Sequence, residues 1–260
     1  DDLKGVAKVI AALPARVGAK PRARLQLSLG SLVGPRERGI ERGDQLRAGL
    51  AESLELYLRL FHSVGITESA ARDDAHRLTD AVDRWDRRPL AEIEGIAIGS
   101  GLDVWQVMAL NGRTEILSRA KVPTPGECST LVHTPPVGAP FGIQTWDWHS
   151  ELDAYWHTQQ IAGPTHTYVG LTEAGILGKI GMNSAGLGLF FNILGHGDDA
   201  PTAVPVHILA AALLGEAGSV AEALDLLATA PIATSGALTL IDRDVAVCAE
   251  VSPLGVAELL

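Results

Sequence analysis

The chain has 260 residues, 47% of them apolar and 20% charged, a balance that can build a core without staples and that excludes a mainly disordered chain. Its net charge of −10 argues against a nucleic-acid partner, which requires a basic face. Two cysteines, Cys128 and Cys248, are too few for a disulfide framework. No basic-then-apolar leader follows Asp1-Asp2, and the longest apolar run, 208–214, is far too short for a bilayer. A cytoplasmic location without a membrane partner is the expectation, for a piece of a longer protein lacking an initiator Met.

The charge is stepped. Residues 1–127 hold 19 Lys and Arg against 18 Asp and Glu, whereas residues 128–260 hold two against 13. The first part reads as mainly helical. A short helix is predicted over 3–13 and a strand at Leu25, Leu27 and Leu29, which alternate. The four glycines between Gly30 and Gly43 read as a turn into a helix whose face is Leu46, Leu50, Leu54, Tyr57, Leu58 and Phe61, ended by Gly65. Thr67 caps a second, charged and mostly solvated helix to about Trp85. Further helices are predicted over 89–98 and, behind Asp103, over 104–117.

The proline-bearing stretch 121–126 reads as a loop. Strands are then predicted over 130–133, 141–146, 165–171, 176–180 and 187–193. A helix runs from about Pro205 to Leu214. Another starts at Ser219, where Ser219 and Glu222 have capping-box spacing. A hairpin over 237–241 and 245–249 turns at Asp242-Arg243-Asp244. Helices, strands, helices and strands in that order give an α+β class, not a regular parallel α/β sheet.

Phosphate loops, dinucleotide glycine spacing, nucleophile elbows and paired-histidine metal signatures are absent from the sequence. His149, His157, His166 and His196 match no ligand spacing. No cofactor and no metal is expected. Cys128 follows a loop and precedes a strand. It is either an addressable thiol or a small buried apolar side chain, and the residues alone leave both open. Cys248, inside an alternating strand, reads as packing.

Several blocks stand in a specific order: Leu110-Asn111-Gly112-Arg113-Thr114-Glu115, then Glu127-Cys128-Ser129-Thr130 and Gln144-Thr145-Trp146-Asp147. Next come Thr172-Glu173-Ala174-Gly175-Ile176-Leu177-Gly178-Lys179-Ile180-Gly181-Met182-Asn183-Ser184-Ala185-Gly186, Phe191-Asn192 and Glu250-Val251-Ser252-Pro253. Together they resemble the acyl-coenzyme A:isopenicillin-N acyltransferase family, autoproteolytic N-terminal-nucleophile (Ntn) cysteine hydrolases. Gly34-Pro35-Arg36-Glu37-Arg38-Gly39 resembles the family's N-terminal turn.

The resemblance implies a four-layer αββα Ntn sandwich, incomplete at the C-terminus. Residues 1–127 would be a helical pro-segment, the prospective α-subunit, and 128–260 the N-terminal part of the β-subunit, with the two segments associated after cleavage. It implies self-cleavage between Glu127 and Cys128 and acyl transfer through a Cys128 thioester. The partners would be a small-molecule acyl donor, either acyl-coenzyme A or an N-acyl amide, and an amine or water acceptor. The new α-amine of Cys128, with a pKa of about 7.7–8.0 against about 8.5 for a thiol, would be the base. That would make a histidine partner unnecessary. Asp147 would orient the ammonium, Asn192 would serve the oxyanion hole, and Thr130 would hydrogen-bond near the nucleophile. Alternatively, Asp147 caps a turn, Asn192 ends a strand and Thr130 is an inward strand residue. Gln144 carries no charge role, Asn183 shapes the turn beside Gly181, and Trp146 and Trp148 line a pocket or the rim of the core. The family's Thr-Asn-His segment, expected after Ser252-Pro253, is not reached before Leu260, so an oxyanion-hole Asn is expected to be missing. Rival readings are an N-acyl amide hydrolase without transferase activity, a non-catalytic binding protein that retains the fold, and a metal enzyme with a structural thiol.

Overall fold

A computed structural model describes residues 25–32, 34–120 and 128–259. The predicted helix over 3–13, the loop over 121–126 and Glu127 lie outside the described residues. The observed elements are mixed helix and sheet, as the α+β class requires.

Strand β1 (Gln26–Leu29) is followed by α1 (Pro35–Ser63), α2 (Glu68–Trp85), α3 (Arg87–Ser100), α4 (Val104–Asn111) and α5 (Arg113–Ser118). The Thr67 hydroxyl accepts the Ala70 amide at the start of α2. Although α2 is charged, it buries Ala71, Ala75, Leu78 and Val82, and Asp74, paired with Arg77 and Arg119, goes in with them. The single helix predicted over 104–117 is broken: Gly112 stands between α4 and α5, and a Cβ there would strike the Leu78 side chain.

Two of the glycines read as turn residues lie inside α1 instead. Gly39 and Gly43 face Gly95 and Gly99 of α3. A Cβ on Gly39 would overlap the Glu92 carbonyl oxygen, and one on Gly99 would overlap that of Ile40. The helices therefore cross backbone to backbone. The glycine spacing that suggested a turn serves close approach.

After residue 128 come the hairpin strands β2 (Ser129–His133) and β3 (Phe141–Thr145). A 3₁₀ turn (Ser150–Tyr155) leads into β4 (Trp156–Ala162), and β5 (Thr167–Glu173), β6 (Ile180–Asn183) and β7 (Gly188–Ile193) follow. Helices α6 (Val206–Glu216) and α7 (Val220–Thr229) precede β8 (Gly236–Ile241), β9 (Ala246–Ser252) and β10 (Gly255–Leu259). The Ser219 hydroxyl accepts the Glu222 amide at the head of α7, while the Glu222 carboxylate turns to the Gly218 amide rather than closing a full box. The main sheet has eight strands in the order β1-β4-β5-β6-β7-β8-β9-β10, and β2-β3 form a separate two-stranded sheet. All neighbours are antiparallel except β1, which runs parallel to β4 with Gln26 opposite Thr158.

Strands β4, β6 and β10 and the 3₁₀ turn were not predicted, and the strand predicted over 176–180 is a loop that shares only Ile180 with β6. β4 hides its pattern because its inward residues include His157 and Gln159, which are buried although polar. The loop 174–179 is not a strand because side chains rather than a neighbouring strand take its main-chain groups. Arg42 donates to the carbonyls of Ile176 and Leu177, Gln159 and Tyr168 donate to that of Leu177, and Asn111 bonds Gly175 and Leu177. One apolar core joins Leu27, Leu50, Tyr57 and Phe61 to Tyr168, Leu189, Phe191, Leu238 and Ala249. Residues from both sides of the charge step share it.

Candidate active site around Cys128

Cys128 sits just ahead of β2 and is half-buried. Its Sγ faces the carbonyl oxygen of Asp147 at 3.8 Å. Its own carbonyl oxygen accepts the Asn192 side-chain amide (Nδ2) at 2.9 Å. The Thr130 hydroxyl donates to Asn192 Oδ1 at 2.6 Å. That bond fixes which end of the Asn192 amide is the acceptor and so aims its N–H donors at Cys128. Thr130 and Asn192 are thus brought to the cysteine by the docking of β2 against β7.

Gln144, opposite Thr130 in the hairpin register, completes that docking. Its amide nitrogen donates to the Phe191 carbonyl at 2.6 Å, and its oxygen accepts the Phe191 amide at 3.1 Å. A side-chain amide here does what a neighbouring strand would do, at a point of β7 beyond its short pairing with β6. Gly142 lies against the Phe190 ring, where a Cβ would not fit without displacing that ring. Asp147 meets Cys128 through its main chain, and the residue is exposed. Asn183 shapes the turn over 183–187: its Oδ1 accepts the amides of Ala185 and Leu187, and its Nδ2 donates to the carbonyls of Leu214 and Ala217.

Beneath the Trp146-Asp147-Trp148 stretch lies a charge cluster that sequence reasoning did not assemble. The Glu173 carboxylate, 2% exposed, accepts the Tyr57 hydroxyl on Oε2. Its Oε1 takes both Arg113 Nη2 at 2.7 Å and Lys179 Nζ at 3.0 Å. The Tyr57 hydroxyl in turn accepts the Trp148 indole N–H at 2.9 Å. Each cation lies under one indole: Arg113 is 4.3 Å from the Trp148 ring centre and Lys179 is 4.5 Å from that of Trp146.

Burial pushes the Glu173 carboxyl up, but Arg113, Lys179 and the Tyr57 hydroxyl outweigh it and hold the group well below the usual range. Burial pulls the Lys179 ammonium down to about 8, against the attraction of Glu173. His207, fully buried edge-on to Phe191, is held well below its ordinary value by burial and by the two nearby cations, and so is neutral. A signal was present in the sequence. Asn111-Gly112-Arg113 and Glu173 to Lys179 are polar residues set among apolar ones. Such residues are buried only when partnered.

The family model described as acyl-coenzyme A:6-aminopenicillanic acid acyl-transferase matches residues 136–258. That span includes Asp147, Lys179 and Asn192 but begins after Cys128 and Thr130. The acyl-coenzyme A:6-aminopenicillanic-acid-acyltransferase 40 kDa form of Emericella nidulans is 32% identical over 177 residues, covering 67% of this chain and 49% of that protein. The chain spans about half the length of this curated relative. On these similarities, the chain belongs to the acyl-coenzyme A:6-aminopenicillanic acid acyl-transferase family.

Proposed function

We propose that this chain is part of an autoproteolytic cysteine acyltransferase whose nucleophile is Cys128. The observation that carries the reading is the convergence on Cys128 of the Asn192 amide, the Thr130 hydroxyl that orients it and the Asp147 main chain. In the uncut chain the Cys128 thiolate attacks the Glu127 carbonyl carbon. The peptide bond to the Cys128 nitrogen breaks, and that nitrogen takes up a proton and becomes an α-amine. Water then hydrolyses the thioester and leaves Glu127 with a free carboxylate. The cut separates a helical segment, 1–127, from a segment beginning at Cys128, and the shared core keeps the two together.

In turnover the α-amine takes the thiol proton, and the sulfur displaces coenzyme A from an acyl-coenzyme A. An amine then takes the acyl group from sulfur. The relative's name supplies the candidate pair, acyl-coenzyme A and 6-aminopenicillanic acid. Asn192 gives an N–H donor to the developing oxyanion, and Asp147, whose main-chain carbonyl meets the Cys128 sulfur, is assigned to orient the new ammonium. An Ntn αββα sandwich fits this assignment. Val169 and Met182 are exposed on the same sheet face that the β2-β3 hairpin partly covers, as a second sheet layer requires.

Intact mass tests the cut. Wild type is expected as two pieces divided between Glu127 and Cys128, and Cys128→Ala as one. A single wild-type chain that also fails to acylate at Cys128 with an acyl-coenzyme A overturns the proposal. Asn192→Ala is expected to slow acylation by about 10²–10³-fold.

A further inference from the structure

The main chain of Cys128 and its sulfur are held by different parts of the molecule. Asn192, oriented by Thr130, holds the carbonyl from the β7 side. Among the described residues, the hydrogen-bond partner of Sγ is the Asp147 carbonyl. Where the sulfur points therefore depends on what fixes residues 146–148.

Trp146 and Trp148, on either side of Asp147, both rest on the buried charge cluster. Trp148 is fixed twice. Its ring lies over Arg113, and its indole N–H donates to the Tyr57 hydroxyl at 2.9 Å. A ring stacked on a cation can still turn in its own plane, and a directional bond to the N–H stops that. The bond runs one way only. An indole nitrogen donates and an ionised carboxylate accepts. Tyr57, kept protonated by burial, gives its one proton to Glu173 Oε2 and so has a lone pair for the indole. Tyr57 stands on α1 and is 1% exposed, locked in the apolar core, so its hydroxyl is a fixed point.

We propose that Tyr57 is a positioning residue for Cys128: its hydroxyl pins the Trp148 indole and so sets the Asp147 carbonyl that orients the thiol. The inference rests on the reading of Cys128 as nucleophile. It gives the segment ahead of the cut a lasting part in the site, because Tyr57 belongs to residues 1–127 and to the shared core. Tyr57 touches no reacting atom and moves no proton to or from the thiol.

Two variants reach this link from opposite ends. Tyr57→Phe removes the hydroxyl and also deprives Glu173 of a hydrogen bond. Trp148→Phe removes the indole N–H and leaves the Tyr57 bond to Glu173 in place. Tyr57→Phe is therefore expected to be the less stable of the two, read from denaturant midpoints. Their effect on Cys128 is expected to be the same. Self-cleavage slows about tenfold in each, and in the double variant no more than in either alone. A role confined to stability would make the rates follow the midpoints instead. Cleavage at the wild-type rate in either folded variant overturns the proposal, as does a double variant slowed by the product of the two singles.

A second readout needs no cut. The Hα–Hβ NMR couplings of Cys128 report its χ1 angle. Wild type is expected to hold one staggered rotamer, and both variants to average between rotamers. Averaged couplings in wild type, or unchanged couplings in either folded variant, overturn the proposal. If Tyr57→Phe does not fold, Trp148→Phe decides alone, since it leaves α1 and Glu173 as they are. A wild type that neither cuts nor acylates, but whose rotamer is lost in the variants, counts against the proposed function alone.

Discussion

Cys128 lies between two regions built on opposite principles. On one side, the loop 174–179 is held almost wholly by groups from elsewhere in the chain: Arg42, Asn111, Gln159 and Tyr168 on its main chain, and Glu173 with Arg113 and Tyr57 at its root. On the other, the β2-β3 hairpin leaves Leu131, Phe141 and Ile143 exposed and meets β7 through Gln144, Thr130 and the Gly142-Phe190 contact. The buried charges stand on the tightly held side, and Cys128 itself sits on the lightly held one. Under the proposed function that arrangement would suit a thiol that addresses first its own peptide bond and then a substrate.

Breaking the rigid side is expected to have the largest effect. Glu173→Gln leaves Arg113 and Lys179 without their shared carboxylate, at an expected cost of about 3–5 kcal/mol, read from denaturant midpoints. The pH dependence sharpens the point. The Glu173 carboxyl is held below its unfolded value of about 4.3, so its stabilisation is complete above that pH and drains away as pH falls below it. The wild type should therefore lose its advantage over Glu173→Gln in acid.

Next comes the base on which that side stands. Gly95→Ala forces a methyl onto the Arg36 carbonyl across the α1-α3 crossing. A net loss of about 1–3 kcal/mol is expected from overpacking, even though alanine favours helix. An unchanged thermal midpoint would show that the crossing can open.

Smallest is the hairpin side. Gln144→Ala removes both bonds to Phe191 and is expected to cost about 1–2 kcal/mol, locally rather than globally. Hydrogen exchange should quicken in β2 and β3 while β8 and β9 keep their protection. Loss of protection throughout would mean that the hairpin is part of the cooperative core and that the two regions are held alike.

Local chemistry was the most legible part of the sequence. Thr67 and Ser219 cap the helices they were expected to cap, because a capping hydroxyl needs only the next few amides. Cys128, Thr130 and Asn192 do meet, although Asp147 comes to Cys128 by its carbonyl. Long-range partnership was not legible. His157 and Gln159 disguised β4, since a polar residue in a buried position betrays itself only through its partner. Gly39 and Gly43 spell a turn until Gly95 and Gly99 are seen opposite them. The Glu173 cluster draws on α1, α5, β5 and the loop after β5, joined over 60 to 116 positions of chain where they bond across it. No local pattern encodes that.

The pairing of β1 with β4 has a consequence for a cut chain. Residues 26–29 form the edge strand of a sheet whose remaining strands all come after residue 128, and Tyr57 and Arg113 reach into the same interior. A break between Glu127 and Cys128 would therefore not create a docking interface of the kind that two folded subunits share. It would divide one core between two strands of polypeptide. Their separation and their unfolding would be a single event, so the melting temperature of the cut protein would rise with its concentration while that of an uncut chain would not.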